Sequence, residues 1–326
     1  MHPELFEIPF LHLTIKSYGL MIVIGFLACV WLIRYLSRGF TTNPQHITNA
    51  ALYALLGGVI GARLFFIVHY FGDFRSNPLE IFAIWQGGLE LAGGVTAAII
   101  VILLYMWYYK LPIRRYLDVL AIGLMLALVF GRIGCFLNGC CYGKPADLPW
   151  AVRFPYGSFA YRSQISPEFE RNRAEPQLEL PADYFGYTDE NGNQYSGLKP
   201  FQDLTVKQKI EVTEGKYRCL PVHPTELYSS GMGAFWCLVL FLFWRRTQKA
   251  ELSGQSGRFL TKPGYIFALM FIVYGITRFL IEYLRDDNPF EFDGITISQN
   301  IGIAMVVLGV ILMAVFKKMK VQPLDI

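Results

Sequence analysis

Gly131-Arg132-Ile133-Gly134-Cys135-Phe136-Leu137-Asn138-Gly139-Cys140-Cys141-Tyr142-Gly143 closes an apolar run, 117–130, that is long enough to be most of a membrane span. The stretch sets one arginine, one asparagine, four glycines and three cysteines at the end of that run. A permanent cation there needs a partner or an anion to bind, because the surrounding hydrocarbon cannot solvate it. The glycines let backbone and ligand approach more closely than a helix interior normally permits. The fold that follows is an α-helical polytopic membrane protein holding this segment at the edge of a bilayer.

The rest of the composition agrees. The chain has 326 residues, 54% hydrophobic and only 17% charged, against roughly 25% charged in a soluble domain. Residues 1–16 carry two prolines, two histidines and two glutamates, so they do not form the basic start of a signal peptide. Seven runs qualify as spans: 18–36, 50–71, 93–109, 117–137, 230–244, 264–282 and 297–316. The fifth is short and is expected to extend.

Arginine and lysine set the orientation. They collect after the first span (Arg34, Arg38), the third (Lys110, Arg114, Arg115), the fifth (Arg245, Arg246, Lys249, Arg258, Lys262) and the seventh (Lys317, Lys318, Lys320). Those ends are expected to be cytoplasmic, which puts the amino terminus outside and the carboxyl terminus inside. Three regions follow. Residues 1–141 hold the first four transmembrane helices and an outer-face interfacial segment at 72–92. Residues 142–222 form a polar extracytoplasmic head, and 223–326 hold the last three helices. The head is expected to be small and α+β. Trp150, Val152 and Phe154 alternate with Ala151 and Arg153 as in a strand, and 187–194 reads as a turn between two strands.

Cys29 and Cys237 lie within spans and read as small apolar core residues. Cys135, Cys140, Cys141 and Cys219 fall near the outer face, where a bridge from Cys140 or Cys141 to Cys219 is expected. There is no CxxC spacing and no zinc-ligand pattern, so no metal site is expected.

Several patches together resemble one family, the prolipoprotein diacylglyceryl transferases. They are Tyr18-Gly19-Leu20-Met21, Gly61-Ala62-Arg63-Leu64, Trp85-Gln86-Gly87-Gly88-Leu89 with Gly93-Gly94, and the opening stretch from Gly131 to Gly143. Asp118, His223-Pro224-Thr225-Glu226-Leu227-Tyr228, and Tyr274-Gly275 followed by Arg278-Phe279, Glu282 and Arg285 complete the set. The resemblance covers nearly the whole chain, in order. It implies seven transmembrane helices with an outer-face head. It also implies transfer of the diacylglyceryl group of phosphatidylglycerol to the lipobox cysteine of a secreted prolipoprotein, with release of glycerol phosphate. No metal or organic cofactor is implied, and no nucleic acid; the partners are phosphatidylglycerol, prolipoproteins and membrane lipids. The implied place is the bacterial cytoplasmic (inner) membrane, with the active site at its outer face.

That chemistry needs cations for the departing phosphate and a group to take the thiol's proton. Arg132 and Arg278 are the expected phosphate ligands, since a guanidinium matches phosphate oxygens in a planar fork and keeps its charge. Glu282, four residues after Arg278 on one helical face, is placed to hold it. Tyr274 joins them as a hydroxyl donor. Arg63 reads equally as a phosphate ligand or as an ion pair between helices. Tyr18 is a donor or an interfacial tyrosine, and Asn138 a head-group ligand or a backbone cap. Gly87, Gly88, Gly93 and Gly94 most simply allow tight turns and helix contact. A substrate-binding role for them, and for Gly19, Gly143, His223 and Tyr228, comes from the resemblance alone. Asp118 is expected to be structural.

The sequence departs from the family where proton transfer is concerned. The family's usual histidine before the second Gly-Gly is Ala92 here, its asparagine after Gly-Arg-x-Gly is Cys135, and its glutamate after Asn-Gly is Cys140. His69, His223 and Glu90 are the candidate replacement bases. The alternative is a non-catalytic membrane protein on the same scaffold that binds lipid or handles lipoproteins.

Overall fold

The computed structural model describes residues 4–8, 13–41, 43–72, 74, 80–81, 88, 90–188, 192–252, 262–290 and 294–319. A hairpin of β1 (Glu4–Ile8) and β2 (Leu13–Lys16) leads into α1 (Ser17–Ser37), α2 (Gln45–His69), α3 (Leu91–Tyr108) and α4 (Ile113–Asn138). A polar region follows with α5 (Phe159–Gln164), the hairpin β3 (Phe185–Thr188) and β4 (Gln194–Leu198), and α6 (Val206–Thr213). The chain then runs through α7 (Thr225–Leu252), α8 (Tyr265–Glu282) and α9 (Ile297–Lys318).

Six of these helices, α1, α2, α4, α7, α8 and α9, are long and apolar enough to cross a membrane, and α3 adds a shorter apolar helix. Their large apolar side chains stay exposed, with Trp31 at 66%, Trp107 at 73% and Val68 at 78%. In water such surface would be buried, so lipid is its solvent. The chain is a multi-pass membrane protein. The fifth expected span, 230–244, is extended at both ends by α7, because Thr225, Glu226 and the basic residues after Trp244 continue the helix.

The chain forms two compact units. One takes Met1–Leu27, Leu124–Leu240 and Ala268–Met313; the other takes Ala28–Gly123, Phe241–Phe267 and Ala314–Ile326. In the second unit, α2 and α3 meet through small residues. A Cβ on Gly61 would sit 2.8 Å from the Gly93 carbonyl, and Gly94 faces Ala62 and the Gly58 carbonyl. Where no hydrophobic effect drives helices together, such close backbone approach supplies the attraction. The buried Asp118 on α4 accepts from the Gly264 N–H at 2.7 Å and from the Phe267 N–H at 3.0 Å. It thus satisfies donors that the start of α8 cannot bond within itself.

In the first unit, α8 and α9 cross at Gly275 and Gly302; a Cβ on Gly275 would lie 2.5 Å from the Gly302 carbonyl. The head's core gathers Tyr142, Phe154, Tyr161, Leu178, Cys219 and Val222, with a second cluster of Tyr184, Leu204 and Val212. The turn expected at 187–194 does join two strands, with Tyr187 and Tyr195 stacked across the hairpin. The strand expected around Val152 is reduced to single bridges, Val152 and Pro145 each pairing with Val222. Pro155 follows at once and cannot donate to a ladder.

Candidate functional site

The end of α8 and the loop after it carry a cluster of buried charges. Arg278 and Glu282 are one turn apart, and their side chains meet at 2.6 Å while only 13% and 1% exposed. The pair is held by proximity rather than by an aligned hydrogen bond. Arg278 also donates to the Ser298 hydroxyl at 2.5 Å. The other Glu282 oxygen accepts from Asn288 at 2.6 Å and from the Thr296 hydroxyl at 2.8 Å. Glu282 is therefore fully engaged, and its reachable effect is to fix Arg278. One turn on, Arg285 lies 3.7 Å from Glu282 and donates to both carboxylate oxygens of Asp287, one of them at 2.7 Å. Buried charges are tolerated only when paired in this way.

The head anchors the same loop. Arg173 bonds Asp286 Oδ2 at 2.9 Å, while Arg171 donates to the backbone carbonyls of Asp286 and Asp287. Glu168 holds both head arginines.

Across from this network stands Arg132, one and a half turns before the end of α4. It lines a narrow cleft with Tyr274, Arg278, Ser229, Trp236 and Thr277. Neither Arg132 nor the Tyr274 hydroxyl has a hydrogen-bond or ion-pair partner among the described residues. Two guanidiniums, Arg278 and Arg285, balance two carboxylates, Glu282 and Asp287. Arg132 is left as net positive charge beside a neutral hydroxyl donor. That cleft suits an anion.

The end of α4 is shaped by Gly139. Its backbone is left-handed (φ +74°), which lets its N–H reach the Phe136 carbonyl at 3.2 Å and the Cys140 N–H reach the Cys135 carbonyl at 3.1 Å. This pair of bonds is a Schellman end, in which the residue after the glycine folds back over the last turn. Here that residue is Cys140, over Cys135. Cys141 follows, itself left-handed at φ +68°, and its carbonyl accepts from the Thr225 hydroxyl at 2.7 Å. The three sulfurs lie within 4.8 Å of one another. Hydrogen bonds from the Cys135 and Cys140 thiols, aided by Arg285 and Arg132, hold the Cys141 thiol well below its usual range.

The expected bridge to Cys219 does not form; all six cysteines are free. Cys219 belongs to the head's core and its thiol faces the Gln164 carbonyl oxygen at 3.3 Å. Burial pushes that thiol up to about 11.

The remaining expected residues divide. Tyr18 packs on Gly134, and Gly19 has open space around it. Asn138 lines a different cleft, against Pro155, Tyr156 and Arg162 of the head. Gly143 is pressed between the His223 and Leu284 carbonyls and bridges to Arg285, so its small size serves chain crossing. The His223 ring approaches the Tyr228 hydroxyl at 3.4 Å, and that hydroxyl accepts from Trp150 at 2.7 Å. In the second unit, His69 and Glu90 pair with each other at 2.9 Å. Arg63 donates to the carbonyls of Glu80, Ile81 and Gly88 there. Trp85, Gln86 and Gly87 lie outside the described residues. Gly93 and Gly94 make the α2–α3 contact.

Sequence reasoning gave no role to four residues that the fold brings here. Asp287 lies in a polar stretch with no periodic signal, and Ser298 is one of the few polar residues at the start of the seventh expected span. Arg285 was noted only as part of a motif. Glu226, at the first turn of α7, is 1% exposed, and neither of its carboxylate oxygens has a hydrogen-bond partner among the described residues. It lies within electrostatic reach of Cys141 and Arg285. A glutamate inside an apolar helix start was the signal that could have found it.

A family model described as prolipoprotein diacylglyceryl transferase matches residues 3–315. Among curated relatives, a phosphatidylglycerol–prolipoprotein diacylglyceryl transferase of Clostridium tetani is 29% identical over 310 residues, covering 95% of this chain and 96% of its own. One of the same name from Rhodospirillum rubrum is 28% identical, covering 98% and 93%. A third, from Rhodopirellula baltica, is 26% identical and covers 93% and 72%.

Proposed function

Because the chain belongs to the prolipoprotein diacylglyceryl transferase family, we propose that it moves the diacylglyceryl group of phosphatidylglycerol onto the lipobox cysteine of a prolipoprotein. The observation that carries this reading is Arg132, a cation with no hydrogen-bond or ion-pair partner among the described residues, in one cleft with Tyr274 and the fixed Arg278. In the reaction, the thiol sulfur bonds to the glycerol carbon that carries the phosphate. The carbon–oxygen bond breaks with its electron pair on the phosphate, and glycerol phosphate leaves. Charge grows on the phosphate oxygens as that bond breaks, and a preorganised guanidinium meets it without reorganisation cost. Arg132 binds those oxygens, Tyr274 donates its hydroxyl, and Arg278, oriented by Glu282 and Ser298, completes the clamp.

The thiol proton needs an acceptor. His69 and Glu90 are hydrogen-bonded to each other at 2.9 Å, so each is already engaged. Glu226, buried within electrostatic reach of Cys141 and Arg285 and with neither carboxylate oxygen hydrogen-bonded among the described residues, joins them as a further candidate for handling that proton. In the membrane, the reading keeps the amino terminus outside, the carboxyl terminus cytoplasmic, and the cleft at the outer face of a bacterial inner membrane.

Purified protein mixed with phosphatidylglycerol and a lipobox peptide tests the reading. The expected result is a diacylglyceryl gain in peptide mass with stoichiometric release of glycerol phosphate. Folded protein that binds phosphatidylglycerol yet yields neither product would favour the non-catalytic alternative, to which Ala92, Cys135 and Cys140 lend support.

A further inference from the structure

We propose that Cys135, Cys140 and Cys141 form a three-thiolate site for a zinc-class divalent cation, with a fourth position that takes the incoming lipobox thiol. The proposal rests on the transferase reading and deepens it. Three observations point to a ligand. The sulfurs already lie within 4.8 Å of one another, and tetrahedral ligation at about 2.3 Å per bond needs them about 3.8 Å apart.

The second observation is the backbone. Cys141 is one of three non-glycine residues with positive φ among the described residues. A side chain in that conformation costs about 1 kcal/mol or more and persists where the surroundings impose it. Here the Schellman turn at Gly139 and the Thr225 hydroxyl impose it, and the result is convergence of three thiols from a seven-residue stretch. The usual Schellman contact is between two apolar side chains; here both are thiols.

The third is charge. Three thiolates and one divalent cation carry a net charge of −1, which needs compensation in an apolar setting. Arg285 supplies it, lying within electrostatic reach of Cys141. Three protein ligands with one position open is the arrangement of a reactive zinc rather than of a purely structural one. Soft sulfur donors select zinc-class or softer ions over magnesium and calcium.

The chemistry follows. A thiol bound at the fourth position loses its proton outright, and that proton leaves on the new phosphate oxygen of the departing glycerol phosphate. The bound thiolate keeps high electron density, because three thiolate ligands already make the centre anionic. Its electron pair forms the sulfur–carbon bond, the carbon–oxygen pair leaves on the phosphate, and the thioether product, a weaker donor, leaves the metal. No electrons are gained or lost by the metal. In this chain the metal replaces what the family's histidine would supply at Ala92.

The test uses the full chain in detergent with a phosphine reductant, stripped by chelator and titrated with cadmium alone as a spectroscopic stand-in for zinc. A sulfur-to-cadmium charge-transfer band saturating at one ion per chain is expected. Cys140→Ser and Cys141→Ser, both at half-buried positions, should each weaken binding tenfold or more; Cys29→Ser and Cys237→Ser should leave it unchanged. Chelation should lower diacylglyceryl transfer at least tenfold, and zinc should restore it. Absence of the band, its persistence in a Cys140→Ser/Cys141→Ser double variant, or full transfer after chelation would overturn the proposal. In the last case the transferase reading stands. If cadmium binds the three thiols but no metal state transfers lipid, the transferase reading fails and the metal's role falls with it.

Discussion

Arg132 differs from its neighbours in having no carboxylate partner among the described residues. Arg278 and Arg285 are each tied to a carboxylate within the protein, so removing either leaves a buried acid uncompensated and harms structure as well as binding. Removing Arg132 leaves no such orphan. Arg132→Ala is therefore expected to insert and fold normally while losing about 100- to 1,000-fold in kcat/KM, the scale of one preorganised charge donor. Arg132→Lys should recover part of that loss, since a point charge replaces a planar fork. The check is turnover beside a thermal unfolding profile in detergent. Unchanged turnover in Arg132→Ala would remove the phosphate clamp from the mechanism. The sequence made Arg132 visible because a charge interrupting an apolar run has few explanations. It hid Asp287, Ser298 and the three-thiol cluster, whose meaning depends on chain segments meeting in space.

Helices were legible for a simple reason: a membrane span announces itself by length and apolarity. Their ends were not, because helix termini are set by caps that arrive from elsewhere in the chain. Asp118 illustrates this. Its place within an apolar run suggested a structural residue, yet its partners are the N–H groups of Gly264 and Phe267, about 146 positions away for the nearer bond. Asp118→Ala deletes two hydrogen bonds and strands two backbone donors. A stability loss of about 2–4 kcal/mol is expected, read as a lower midpoint of thermal unfolding in detergent. Asp118→Asn keeps one acceptor oxygen and should lose about half as much. If Asp118→Ala unfolds at the wild-type temperature, the cap contributes nothing and the start of α8 is held by packing alone.

At the scale of the molecule, the head was legible as a polar insert with short strands, but not for what it grips. Arg171 and Arg173 reach from it to Asp286 and Asp287, the residues that set the partner of Arg285. Arg171→Ala with Arg173→Ala is expected to lower kcat at least tenfold while leaving the membrane helices protease-resistant. Limited proteolysis should then show new cleavage near residues 285–288. Wild-type kcat in that double variant would show that the loop keeps its shape unaided.

That grip makes the insert a poor module for exchange. Grafting a foreign head between residues 142 and 222 would exchange more than a cap, because the two guanidiniums that pin the loop after α8, one through a carboxylate and one through backbone carbonyls, would leave with it. A chimaera could keep every helix and every residue of the cleft and still place Arg285 wrongly. Any transplant among relatives must therefore move in matched sets, with Glu168, Arg171 and Arg173 travelling together with Asp286 and Asp287.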